Sequence, residues 1–222
     1  MPQKPRFTRE ELVDAGLEIV RAGGASALTA RAVGARLGCS ARPIFTVFEN
    51  MDDLGDAVFA AAQAELIDYL SESVDYWPAF KEFGLRYVRF AIEQPHLYEM
   101  IFSRNGTVPL DVDSIGSLFL DLADTLTGEV QCLFGLSREN ARELFNQMIV
   151  FANGIASLSV SGTARFTEEQ VSRSISEVCV GMVFRFKVAD GSFDIGEARA
   201  MASQPDIAPR KRAQSESLSN DD

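Results

Sequence analysis

Apolar residues recur along this chain at intervals of three and four, the period of helices with one buried face. No run of useful length shows the two-residue period of a strand. The first helix opens at Thr8, whose hydroxyl can accept from the backbone three residues on while Glu11 reaches back, a capping box. Leu12, Val13, Gly16, Leu17 and Val20 then share a face until Gly23-Gly24. Thr29 caps a second helix, Ala30–Leu37, with Val33 and Leu37 one turn apart. Gly38 stops it, Cys39 fills the turn, and Ser40 caps a third helix through about Phe48, with Pro43 in its first turn. Asn50 and Asp53 open a long fourth helix to about Val74. A fifth starts near Pro78 and ends near Glu93, and a short sixth starts at Pro95. Arg104–Asp111 contains Asn-Gly and a proline and reads as a loop. A seventh helix runs from about Asp113 to Leu133, an eighth from Ser137 to about Val160. A ninth is capped by Thr167 with Gln170. From about residue 203 the chain is polar, rich in Ser and Asp, and reads as disordered.

The expected architecture is therefore all-α, about nine helices. A three-helix helix-turn-helix domain spans 1–50, a larger helical domain 51–190, and a polar tail 191–222. Helix, tight glycine turn, short helix is the arrangement whose second member enters the major groove of DNA.

The same residues resemble the TetR-type bacterial transcriptional regulators. The family pattern Leu-Thr-x-Arg-x-Val/Ile-Ala is matched by Leu28-Thr29-Ala30-Arg31-Ala32-Val33-Gly34. Its Gly-x-Ser-x-x-x-Leu-Tyr-x-His-Phe-x-Asn-Lys-Glu-x-Leu is matched by the stretch from Gly38 to Leu54. The match covers about a quarter of the chain. A weaker one is Gln94-Pro95-His96-Leu97-Tyr98-Glu99-Met100-Ile101-Phe102, similar to a segment of the regulatory domain of some members. Where the family has Tyr, His and Lys, this chain has Phe45, Val47 and Met51, with Glu49, Asp52 and Asp53 close by. The Tyr hydroxyl and Lys ammonium contact phosphates in typical members, so their loss moves the charge burden to Lys4, Arg6 and Arg9, with Arg31 and Arg42. The resemblance implies a homodimer on a near-palindromic double-stranded DNA operator, released by a small-molecule effector, more in the manner of a repressor than an activator. Ala41, Arg42, Phe45 and Thr46 are then expected at bases, and Thr29, Arg31, Ser40, Lys4 and Arg6 at phosphates. The rival reading is a protein-interaction module that keeps the fold and has lost DNA contact.

The net charge of −11 changes this picture only when divided. Residues 1–50 hold seven Lys/Arg against five Asp/Glu, so the acidic excess lies wholly in the remainder. Screening limits the reach of those distant charges to about 10 Å at 0.1 M salt. The last two long helices carry small residues (Ala152, Gly154, Ala156, Gly181) on faces broader than one stripe, which suits pairing with a second copy. Phe80, Phe83, Tyr87, Phe90, Tyr98 and Phe102, with Trp77, form the candidate wall of an effector pocket, although aromatics at helical spacing also serve as plain core. His96, the single histidine, is expected to be exposed or to lie in an N-terminal turn rather than to contact a ligand. Cys39, Cys132 and Cys179 have no zinc spacing and read as small buried hydrophobes.

Catalysis finds no footing: the chain has no Gly-x-Ser-x-Gly elbow, no phosphate-cradling loop and no metal spacing, and paired acids such as Glu168-Glu169 sit where helix dipoles explain them. An enzyme using a helical cavity is the weakest option. No cofactor or metal is expected, and the lack of a leader or a membrane-length apolar run points to the cytoplasm.

Overall fold

The computed structural model describes residues 6–102, 118–119, 121–203, 206 and 208–212. Among them nine α-helices form: α1 (Arg9–Gly23), α2 (Ala30–Arg36), α3 (Met51–Ser71), α4 (Ala79–Glu93), α5 (Pro95–Phe102), α6 (Asp121–Phe134), α7 (Arg138–Val160), α8 (Glu168–Ala189) and α9 (Ile195–Ser203). The only strands among the described residues are β1 (Tyr76–Trp77) and β2 (Arg210–Lys211), paired antiparallel. The chain is all-α, as its periodicity requires.

The helix starts follow side-chain chemistry. Thr8 and Glu11 close a reciprocal capping box on α1, and Thr167 with Gln170 does the same on α8. Thr29 accepts from the Ala32 amide at 3.2 Å, Ser137 from Asn140 at 3.2 Å, and Asn50 from Asp53 at 2.9 Å. Each such cap is worth about 1 kcal/mol, because it satisfies an amide that the helix leaves without a partner.

Two compact units emerge. The first holds Met1–Asp68 and Glu93–Thr107, the second Tyr69–Ile92 and Val108–Asp222. The first unit thus takes in most of α3, beyond residue 50, and also α5. Its core is Leu12, Val20, Val33, Ile44, Phe48, Leu54, Val58 and Leu97, all at most 1 % exposed. α1 packs on both α2 and α5. Gly16 lets α1 approach α3 closely: a Cβ there would come within 2.6 Å of a Val58 methyl.

In the second unit α6, α7 and α8 pack in sequence, and α4 is buried on nearly every side. A helix buried all round carries charge only if that charge is paired. Arg86 accordingly donates to Glu82 at 3.0 Å, to Glu72 at 2.8 Å and to the Tyr69 carbonyl at 3.0 Å. Its guanidinium also lies over the rings of Tyr69 and Tyr76. The first turn of α4 is capped from another helix: Glu129 of α6 accepts the amides of Ala79 and Phe80 at 3.0 and 2.7 Å.

Four sequence expectations need correction. The third member of the helix-turn-helix is not an α-helix from Ser40 to Phe48; it is a single 3-10 turn, Ile44–Thr46, with no side-chain cap. Pro43 disfavours the helical conformation for Arg42, so no helix starts ahead of it. The cap of α3 then ends the available chain, since Asp53 already accepts the Glu49 amide. Second, α3 ends at Ser71, followed by a 3-10 turn, Glu72–Asp75, where a helix to Val74 is expected. Third, part of the polar tail is ordered, as α9 and β2. Fourth, Cys132 is exposed, whereas Cys179 is buried and Cys39 half-buried. The loop expected at 104–111 and the helix start expected at Asp113 lie outside the described residues, and α6 is described from Asp121.

Candidate nucleic-acid interface and ligand cavity

The helix-turn-helix segment is held by backbone proximity. The Cys39 amide donates to the Gly34 carbonyl at 2.8 Å, and Gly38 turns the chain with φ +64. A Cβ on Gly34 would meet the Cys39 carbonyl oxygen at 2.9 Å, so this position, Ala in the family pattern, has room only for glycine. Gly34 therefore sets how closely α2 rides on the turn that follows it.

Around this hinge the site residues divide. Arg6, Thr29, Arg31, Ser40, Arg42, Phe45 and Thr46 are exposed, and Ala41 is half-buried. Phe45 is 49 % exposed, a large apolar ring turned to solvent. Neither Arg31 nor Arg42 makes an ion pair among the described residues. Thr29 and Thr46 already spend hydroxyl capacity on the main chain, the first as the α2 cap and the second by donating to the Pro43 carbonyl at 2.6 Å. Arg9 lies 5.0 Å over the ring of Phe48 and pins the start of α1 to the end of the turn. Lys4 lies outside the described residues. The acids near the turn are partly structural, since Asp53 belongs to the α3 cap. His96 sits half-buried in the first turn of α5, 3.4 Å from Glu99.

The aromatic set falls in two places. Phe80, Phe83, Tyr87 and Phe90 belong to the second unit, and Tyr98 and Phe102 to the first, where their rings lie 4.9 Å apart. Phe83 packs edge-on to Phe119 at 5.2 Å and against Phe145 at 5.4 Å; the Tyr87 hydroxyl donates to Asn153 at 2.9 Å. The gap beside Phe80 and Phe83 is about 10 Å³, room for one water at most.

A larger space lies elsewhere in the second unit. A cavity of about 460 Å³, within the size range of small-molecule sites, is walled by Trp77, Phe80, Phe134, Ile175, Val180 and Met201. Of the aromatic set singled out in the sequence, Trp77 and Phe80 line it. Its polar margin is Lys81, Ser176, Cys179, Glu197 and Asp206. Lys81 is buried, and its ammonium donates to Asp206 at 2.5 Å. Ser172 and Ser176, one turn apart on α8, each donate to the same carboxylate at 2.6 Å. Burial raises the pKa of Asp206, but the bonds from Lys81, Ser172 and Ser176 outweigh it and hold the carboxyl below its ordinary value. Burial pushes the Cys179 thiol up to about 12, so it stays neutral. Further along, Arg212 donates to Glu129 at 2.9 Å and to the Tyr76 carbonyl at 3.0 Å, and Arg210 lies 5.5 Å over the Trp77 ring. The tail is thus stitched to the mouth of the cavity. No local pattern announces these pairings, because Lys81 and Asp206 stand 125 residues apart in the chain.

Along α7 and α8 several apolar side chains are exposed among the described residues. Val150 and Leu158 are 42 % exposed and Val188 59 %. On the same two helices Gly154 and Gly181 have only open space where a Cβ would stand. Among the described residues no helix is long and apolar enough to cross a membrane, and no three His, Cys, Asp or Glu side chains gather where they could hold a metal.

A capped helix pair with a glycine-marked turn is thus followed in the chain by a larger helical unit with its own cavity. Residues 80–181, from α4 into α8, match the family model of a tetracyclin repressor-like C-terminal domain. With the amino-terminal motif, this match supports the TetR-type family of transcriptional regulators. Among curated proteins none matches it.

Proposed function

We propose that this regulator binds double-stranded DNA as a homodimer and acts as a repressor released by a small molecule. The observation that carries the DNA reading is the exposure of Arg31 and Arg42 on either side of the Gly34–Cys39 turn, together with exposed Phe45. Arg42, Ala41, Phe45 and Thr46 meet base edges or a thymine methyl; Arg31, Arg6 and Lys4 meet phosphates, with Thr29 and Ser40 alongside. A one-turn reading element presents fewer side chains than a full helix, so phosphate contacts carry a larger share of affinity and binding depends steeply on salt. The face on α7 and α8 around Gly154 and Gly181 pairs with its own copy, which doubles the number of half-sites engaged. The effector enters the cavity beside α8. Its arrival is relayed through α3, a helix continuous from the first unit into the second, and the spacing of the two reading elements changes.

A gel shift of the purified protein against its own upstream region tests the proposal. Retardation that weakens as salt rises is expected. Arg42→Ala relaxes preference between cognate and scrambled duplexes, a change of roughly 1–3 kcal/mol at one base position. Arg6→Ala lowers affinity evenly and flattens the salt slope. Exposed Phe45 on so short an element also favours a second reading, a protein-interaction module without DNA contact. Absence of any retardation at low ionic strength would establish that reading in place of the first.

A further inference from the structure

We propose that the cavity beside α8 receives a ligand with a carboxylate head and an apolar body, and that its head takes the place of the Asp206 carboxylate on Lys81, Ser172 and Ser176. The carboxyl-terminal tail is then a built-in competitor of the effector. The inference rests on the effector reading of the cavity and names what that effector is.

Three donors already converge on one carboxylate, at 2.5, 2.6 and 2.6 Å. They belong to α4 and α8, helices of the unit's core, with Lys81 7 % and Ser172 9 % exposed. The acceptor, by contrast, belongs to a tail held at its far end by a two-residue ribbon and one arginine. Lys81, Ser176 and Asp206 also line the 460 Å³ cavity, so an anionic head at this point continues directly into a space walled by Trp77, Phe80, Ile175 and Met201. A buried ammonium cannot be left without a counter-ion, because its desolvation is no longer offset. An incoming carboxylate replaces the anionic partner that Lys81 has at 2.5 Å in Asp206, which neutral and cationic ligands of the same shape do not. The other carboxylate at the cavity, Glu197, is already paired with Lys187 at 2.5 Å and offers no cation site.

Trp77 is the single tryptophan of the chain, lines the cavity and lies under Arg210, so its emission reports both ligand entry and tail release. Full-length protein is titrated with decanoate and 1-naphthaleneacetate, and with the matching alcohols decanol and 1-naphthaleneethanol. At least one carboxylate gives a saturable change in emission, and its alcohol gives none at the same concentrations. Asp206→Ala removes the competitor; if the tail occupies about nine molecules in ten, affinity tightens about tenfold. Lys81→Met abolishes carboxylate binding. Should that variant fail to fold, as judged by circular dichroism, Ser176→Ala decides, with a several-fold loss and an unchanged fold. Equal binding of acid and alcohol, no binding of either acid, or unaltered affinity in Asp206→Ala overturns the inference. A parallel gel shift keeps the two readings apart: carboxylate binding without any change in DNA retention overturns the effector role and leaves the site standing. Intact DNA binding with a cavity that accepts neither acid overturns the site alone.

Discussion

The hydroxyl of Thr46 donates to the main-chain oxygen of Pro43 at 2.6 Å, and the same oxygen accepts the Thr46 amide at 3.2 Å. Both bonds bridge three residues, so they close a 3-10 turn. Pro43 contributes twice, because a proline also disfavours the helical conformation at the residue before it, here Arg42. The Val47 amide repeats the three-residue bond to Ile44, and only Phe48 reaches the four-residue bond of an α-helix. What limits this third element is thus one proline and one threonine.

Replacing the proline tests this. Pro43→Ala is expected to extend the helix backward by about one turn, seen as helical Cα chemical shifts at Ala41 and Arg42. If the proposed function holds, the same variant gains DNA affinity at low salt, since Arg42 is then carried on a preformed helix. Shifts at Ala41 and Arg42 that stay as in the parent would show that the cap of α3, and not the proline, sets the length.

A second prediction concerns the charges inside α4. Arg86 and Glu82 are both less than a tenth exposed and lie 3.0 Å apart, with Glu72 completing the set. Arg86→Met leaves the Glu82 carboxylate buried with half its compensation gone. A loss of about 3–5 kcal/mol of unfolding free energy is expected in chemical denaturation. Adding Glu82→Leu removes the stranded charge and recovers part of that loss. A double variant as unstable as the sum of two independent losses would contradict the pairing.

These two cases mark how far the sequence is legible. The ends of α1, α7 and α8 follow from Thr8, Ser137 and Thr167, because a cap acts over three residues and its partner is always in view. Helical type is legible too, since the apolar period repeats over many turns. The short third element is not, because it depends on Pro43 ahead of it and on the cap of α3 behind it, which together leave few residues, and no single pattern weighs the two. The aromatic stripe of α4 is read correctly as inward but cannot say whether inward means packed core or cavity wall; Phe119 and Phe145 fill the space beside Phe83. The cavity margin is silent for another reason. Lys81 looks like any polar residue on a helix, and Asp206 sits in a stretch whose composition argues for disorder. Only folding brings them together.

Acid should detach the tail. Burial pushes Asp206 up, yet the three hydrogen bonds outweigh it, so its pKa in the folded chain lies below its unfolded value of about 3.9. For a depressed carboxyl the stabilisation is complete above the unfolded value and fades as pH falls through the folded one. Tail docking is therefore constant near neutrality and is lost at acid pH, below about 4. A change in Trp77 emission over that window is expected, and Asp206→Asn should remove it while leaving circular dichroism unaltered. Persistence of the same acid transition in Asp206→Asn would assign it to other carboxylates.

The last prediction concerns the face of α7 and α8. Val150 and Leu158 are two turns apart on α7, each 42 % exposed, with Gly154 between them offering no side chain. In a monomer, a charge at either position stays in solvent and costs within about 0.5 kcal/mol. In a dimer built on this face, the same carboxylate is buried opposite an apolar surface, where an unpaired charge costs several kcal/mol. Val150→Asp and Leu158→Asp should each shift sedimentation from dimer toward monomer, weakening association by at least about 2 kcal/mol, roughly thirtyfold in Kd. Because two reading elements then no longer act together, retention of a two-half-site duplex should fall with the dimer, whereas a single half-site binds as weakly as before. A dimer undisturbed by both substitutions would move the interface to another face.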